Sequence, residues 1–168
     1  AGRMLSEKYQ VFGLTRSNAF SILNPNVKLV RADLSDPDFV YSLPTEIDCV
    51  IHFAQSQRYR DFPEGAADML NINIDATYKL LDWARKTSVK QFIFTSTANV
   101  YSESKALLTE SHATRPNSFY GASKLAAEQL INQYFSYFQV DILRLFTVYG
   151  PTQKGMLIPN IIERIKTR

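Results

Sequence analysis

Apolar positions fall into five short runs separated by longer stretches of helical periodicity. The runs 9–17 (YQVFGLTRS), 27–34 (VKLVRADL), 48–55 (DCVIHFAQ), 90–97 (KQFIFTST) and 140–148 (VDILRLFTV) are rich in β-branched and aromatic residues, as strands covered on both faces are. Between the third and fourth runs Leu70, Ile74, Thr77, Leu81 and Ala84 recur at spacings of four and three. That periodicity predicts a helix over roughly 66–87 with these residues on one face. A second helix is predicted over about 120–138. Strand, helix, strand order with crossovers this long requires parallel pairing, so the expected fold class is α/β, a doubly wound parallel sheet with helices on both faces.

Both ends read as interrupted. The opening GRMLSEKY (2–9) has helical character and runs straight into a strand, as a βαβ unit does when its first strand is missing. The closing stretch opens a fresh helix and stops. The expected organisation is a nucleotide-binding type of domain over 1–150, lacking its first strand, and the start of a further segment over 151–168.

Composition narrows the function classes. A net charge of +3 with no Lys/Arg cluster longer than two or three residues gives no footprint for nucleic acid. No apolar run approaches the ~20 residues of a membrane span and no signal-peptide core is visible, so a cytoplasmic location is expected. The single cysteine, Cys49, lies in an apolar run and is expected to be a buried thiol, with no disulfide framework. His52 reads as a hydrogen-bonded core residue, His112 as a solvated loop residue, and no His/Cys/Asp grouping has metal-ligand spacing. The aromatics Tyr134, Phe135, Tyr137 and Phe138 read as core packing or a subunit contact.

The stretch SFYGASKLAAEQL (118–130) carries the candidate chemistry. Tyr120 and Lys124, four apart on a helix, share a face, so the ammonium can stabilise the phenolate and tune the phenol for proton transfer. The preceding strand ends in FTST, and hydroxyls at the carboxyl end of a parallel strand face the crevice where open α/β sheets bind ligands.

With these motifs in this order, the chain resembles the extended short-chain dehydrogenases/reductases, the NAD(P)-dependent epimerase/dehydratase group that acts mostly on nucleotide sugars. DCVIHFAQ resembles that family's D-x-V-x-H-x-A strand, NIDAT its N-V-x-G-T, FTSTANVYS its F-x-S-S-x-x-V-Y-G, and LRLFTVYGP its L-R-x-x-N-V-Y-G-P. The resemblance implies a Rossmann-type domain and a catalytic set of Thr97, Tyr120 and Lys124, in which Tyr120 exchanges a proton with a substrate hydroxyl and Lys124 holds the nicotinamide ribose. It implies cofactor contacts from Gly2, Thr15, Arg16, Asp33, Leu34, Phe53, Ala54, Gln55, Asn73, Tyr120 and Lys124, and substrate contacts from Thr97, Asn99 and Thr147. It also implies a homodimer joined by a four-helix contact of 66–87 and 120–138.

Departures from the family pattern refine these expectations. Gly2 stands alone where a glycine-rich phosphate loop is expected. Arg16 occupies the place where NAD-preferring enzymes put an acid, which favours NADP over NAD. Ala98 and Asn99 stand where 4,6-dehydratases of the family carry an Asp-Glu pair, which argues against dehydration. Thr147 replaces an Asn. The expected function is therefore NAD(P)-dependent oxidation, reduction or epimerisation of a small molecule, a nucleotide sugar first. A steroid- or flavonoid-like carbonyl compound, or a non-catalytic NADP-binding sensor, are the alternatives.

Overall fold

The computed structural model describes residues 7–16, 26–150 and 157–166. Gly2 and most of the opening helical stretch lie outside them. The elements run β1 (Val11–Thr15), β2 (Val27–Arg31), a 3-10 turn (Phe39–Ser42), β3 (Cys49–His52), α1 (Ala66–Leu70), a π-helical turn (Asn71–Asp75), α2 (Ala76–Lys86), β4 (Gln91–Thr97), a 3-10 turn (Ala98–Val100), α3 (Phe119–Asn132), β5 (Gln139–Leu145) and α4 (Leu157–Lys166).

All strand pairing is parallel. β1 pairs β2 from Val11 opposite Val27 to Thr15 opposite Arg31. β4 lies between β3 and β5, with Phe94 opposite both His52 and Ile142. Among the described residues these are two separate sheets, so β1 and β3 each keep an edge with no strand beside it. This agrees with the predicted α/β class.

The core gathers around β4. Its alternate residues Phe92 and Phe94 are fully buried in one cluster with Leu80, Leu81 and Ala84 of α2 and Ala127 and Ile131 of α3. Burying each leucine, isoleucine or phenylalanine among them contributes about 1.5–3 kcal/mol. β1 and β2 contribute less than expected: Leu14 and Leu29 remain nearly half exposed, so these strands are not covered on both faces within the described residues.

The predicted helix over 66–87 is present but not uniform. The π turn adds one residue between α1 and α2 and rotates the register by about 100°. Leu70, predicted on the buried face, is 48% exposed, and its neighbour Met69 at 0% takes its place. The second helix ends at Asn132 rather than near 138. The chain then turns through Ile131–Tyr134 and Tyr134–Tyr137 backbone bonds, which lets Phe138 fold back and stack on Phe92 at 5.8 Å, with Tyr134 stacked on Phe138 at 6.0 Å. Phe135 and Tyr137 stay exposed.

Cys49 is exposed rather than buried. It is the first residue of β3, next to the open edge, and alternation gives the interior to His52 instead. Burial of its sulfur and the nearby Asp141 and Asp48 carboxylates push its thiol above the ordinary range, which removes thiolate character. His112 is half-buried rather than solvated, edge-on to Tyr101.

Helix α3 begins where Ser118 caps it, its hydroxyl accepting from Gly121 N–H at 3.1 Å. Gly121 is needed there because a Cβ would run into the backbone carbonyl of Asn99 and stand 3.0 Å from the Pro116 Cβ. The Gly121→Ala variant is expected to lose about 1–3 kcal/mol through this overpacking, read as a lower urea midpoint with an unchanged slope.

Candidate active site

The predicted catalytic residues converge at the carboxyl ends of β3 and β4, where α3 begins. The Tyr120 phenol donates to Gln55 Oε1 at 2.6 Å, and its ring lies 5.3 Å from that of Tyr59, which is covered by the Arg60 guanidinium at 5.0 Å. Thr97 closes β4, its hydroxyl oxygen accepting from Asn99 N–H at 3.2 Å. Burial raises the Tyr120 phenol above its ordinary value, the Thr97 hydroxyl pulls it down, and Tyr59 adds a further rise.

This corrects the expectation that Lys124 lowers the phenol, since Lys124 is not among the groups that shift it. The ammonium lies 4.0 Å over the centre of the Phe94 ring, directed into the sheet. Lys124 is 1% exposed and makes no hydrogen bond or ion pair among the described residues. Burial depresses it to about 8, and the Glu128 carboxylate opposes that fall.

Asn73, carried by the π turn, ties the site together. Its Oδ1 accepts from Ser56 N–H at 2.8 Å, and its Nδ2 donates to the Ser123 hydroxyl at 2.9 Å. Ser123 in turn donates to the Tyr120 carbonyl at 2.8 Å. Ser56 follows Gln55 and also bonds the Asp68 carboxylate of α1. One buried amide therefore fixes both the loop that presents Gln55 and the helix that presents Tyr120.

His52 lies beneath the site. The single proton of the Thr77 hydroxyl goes to the Asn73 carbonyl at 2.9 Å, so His52 Nε2 must donate to Thr77 Oγ1 at 3.0 Å, which fixes the tautomer. Burial and then the Lys124 charge lower His52 to about 3.

The remaining predicted residues divide. Thr15, Arg16, Asp33 and Leu34 form a second group at the carboxyl ends of β1 and β2. The Asp33 carboxylate accepts from the Ser35 N–H at 2.9 Å and hydroxyl at 2.8 Å. Those bonds, with some help from the Arg16 charge, hold it below the usual carboxylate range. Phe53, Ala54, Asn99 and Thr147 are exposed around the crevice. Among the described residues no three His, Cys, Asp or Glu side chains are placed to hold a metal, and no helix is long and apolar enough to cross a membrane.

Ser56, Tyr59, Asp68 and Ser123 are absent from the predicted set, and no local signal marks them. Glu128 did carry one: a charge at i+4 from Lys124 in the otherwise apolar KLAAEQLI.

Parallel strands with polar groups gathered at their carboxyl ends define a Rossmann-type α/β domain. The chain belongs to the NAD dependent epimerase/dehydratase family, whose family model matches residues 1–168. It is 35% identical over 142 residues to the "Uncharacterized UDP-glucose epimerase YtcB" of Bacillus subtilis, a match covering 80% of this chain and 41% of that protein. It is 34% identical over 148 residues to the dTDP-D-glucose 4,6-dehydratase of Homo sapiens, covering 84% and 42%. Among solved structures it superposes on the UDP-glucuronic acid 4-epimerase of Bacillus cereus in complex with UDP-glucuronic acid and NAD, with TM-score 0.76 and 30% identity over 86% of this chain and 47% of that one. The chain thus spans about half or less of the length of these relatives. A dehydratase stands among these relatives, so the expectation against dehydration drawn from Ala98 and Asn99 finds no support in them.

The His52 geometry yields a sign for acid stability. Its native value near 3 lies below the ~6.5 of an unfolded chain, so between the two the unfolded state holds a proton the native state lacks. Stability is expected to fall as pH falls from about 6.5 towards 3, this one group adding up to about 1.4 kcal/mol per pH unit. His52→Gln removes that contribution; denaturation at pH 7 and pH 5 tests it, and an undiminished pH slope in the variant would refute it.

Proposed function

We propose that the complete protein oxidises a hydroxyl of a nucleotide sugar reversibly, as an NAD(P)-dependent epimerase. The observation that carries this is the meeting of the Tyr120 phenol and the Thr97 hydroxyl in one crevice beside a buried ammonium, Lys124, that has no hydrogen-bonding partner among the described residues. An ammonium so buried is costly unless its donors are met, and the hydroxyls of a dinucleotide ribose meet them. The residues present therefore fit such a cofactor. When bound, it supplies reversible two-electron oxidation at the sugar carbon.

The chain's own groups do the rest. Tyr120 accepts the proton of the sugar hydroxyl and returns it, and Thr97 hydrogen-bonds the same oxygen and stabilises the charge that develops there. The hydroxyl of Thr97 favours the phenolate over the phenol, against the burial that opposes it. Gln55, now accepting from Tyr120, yields that proton's place to the substrate. Nucleotide sugars are preferred to other carbonyl compounds because the named relatives are a UDP-glucose epimerase and a dTDP-D-glucose dehydratase, and the solved one holds UDP-glucuronic acid.

In the full-length protein Tyr120→Phe is expected to cut turnover of UDP- and dTDP-sugars by about 100-fold to 10,000-fold while NAD(P) affinity stays within a few-fold. Retained turnover overturns the role. The solved relative carries NAD, and in this chain the Arg16 charge reaches Asp33, a carboxylate that competes with a 2'-phosphate for it. NAD is accordingly favoured over the NADP first expected. Arg16→Ala is expected to change the ratio of the NAD and NADP dissociation constants by less than threefold, about 0.6 kcal/mol; selective loss of NADP binding by tenfold or more restores NADP.

A further inference from the structure

Behind the crevice three side chains from three elements form a closed polar cluster. Glu128 lies one helical turn beyond Lys124 on α3 and is 1% exposed. Its Oε2 accepts from Arg144 Nη2 at 2.7 Å and Nε at 3.2 Å, and its Oε1 from Nε at 3.1 Å. The Ser96 hydroxyl, one residue before Thr97, adds a short bond to Oε1. Arg144 is held in turn by the Glu110 carbonyl at 3.2 Å and lies 4.8 Å over the Tyr101 ring.

A buried carboxylate with these donors has both oxygens met, and its charge opposes the depression of Lys124. The ionisable groups around the ammonium are His52 from β3, Tyr120 and Glu128 from α3, and Arg144 from β5 behind Glu128. On the neighbouring helix Asp68 is engaged with Ser56, and Asp75 with Lys79. β4 presents the Phe94 ring and no ionisable group. Glu128 is thus the anion that opposes the cost of burying Lys124.

We propose that Glu128 is a positioning residue for this site: clamped by Arg144 and Ser96, its carboxylate keeps Lys124 an ammonium and holds it over Phe94, ready for the cofactor. This rests on reading Lys124 as the residue that meets the dinucleotide. It gives the Ser96–Glu128–Arg144 cluster a function besides joining β4, α3 and β5.

The test is a pH titration of the lysine 13Cε resonances in the full-length protein, without cofactor. For Glu128→Gln the Lys124 midpoint is expected to fall about one unit below the parental value, and Glu128→Asp is expected to return it. If Glu128 serves packing alone, loosening lets water reach Lys124 and the midpoint rises towards the ~10.4 of a free lysine; a rise, or no change, overturns the proposal. Should Glu128→Gln fail to fold, the Glu128 13Cδ resonance of the parent is expected to show a step at the Lys124 midpoint, as coupled groups do, and a flat trace overturns it. NAD binding gives a second readout: the variant is expected to bind about tenfold more weakly at pH 8 and to regain affinity at lower pH, where Lys124 is again protonated. If the parent binds neither NAD nor NADP, the functional reading falls while the titration still decides the role of Glu128.

Discussion

The burial of one ammonium governs this structure. Lys124 sits under the first turns of α3 with its charge against the face of Phe94, a contact worth about 2 kcal/mol or more when desolvated. Desolvation of a lysine in a protein interior opposes it by lowering the charged form. The charge persists because α3 also carries Glu128 on the same face, and because β5 supplies Arg144 to satisfy that carboxylate in turn.

The second constraint is geometric. A π turn is an unfavourable interruption of a helix, and here it brings Asn73 inward, where both ends of its amide are used. The same turn frees the Asn73 carbonyl to accept from Thr77, which orients His52 below. A chain of hydrogen bonds therefore runs from β3 through the helix interruption to the first turn of α3. It places Gln55 and Tyr120 within 2.6 Å of one another although they stand 65 residues apart in sequence. Family membership and this arrangement support the same reading, since the crevice lies where parallel α/β sheets bind ligands.

The residues expected at the site fall into two groups rather than one. Thr97, Tyr120, Lys124, Asn73 and Gln55 form the first, and Arg16 with Asp33 the second, at the ends of β1 and β2. Among the described residues β1–β2 and β3–β4–β5 are two sheets, so each group is built on its own sheet. The charge of Arg16 reaches the Asp33 carboxylate and helps hold it low, so the two belong to one group.

The alternation of apolar runs and helical stretches determined the α/β class, the five parallel strands and the two main helices, because burial on both faces and 3.6-residue periodicity are local properties of the chain. The i, i+4 spacing of Tyr120 and Lys124, and the motifs around Asn73 and Thr97, likewise marked the site in the sequence. Tertiary structure alone decided where those side chains point. The one-residue slip of the π turn exchanged Leu70 for Met69 in the core; Cys49, at the start of β3, stayed outside; and the Lys124 ammonium came to lie over the Phe94 ring. Each outcome depends on contacts between residues distant in sequence, and spacing along one helix carries no information about which partner wins.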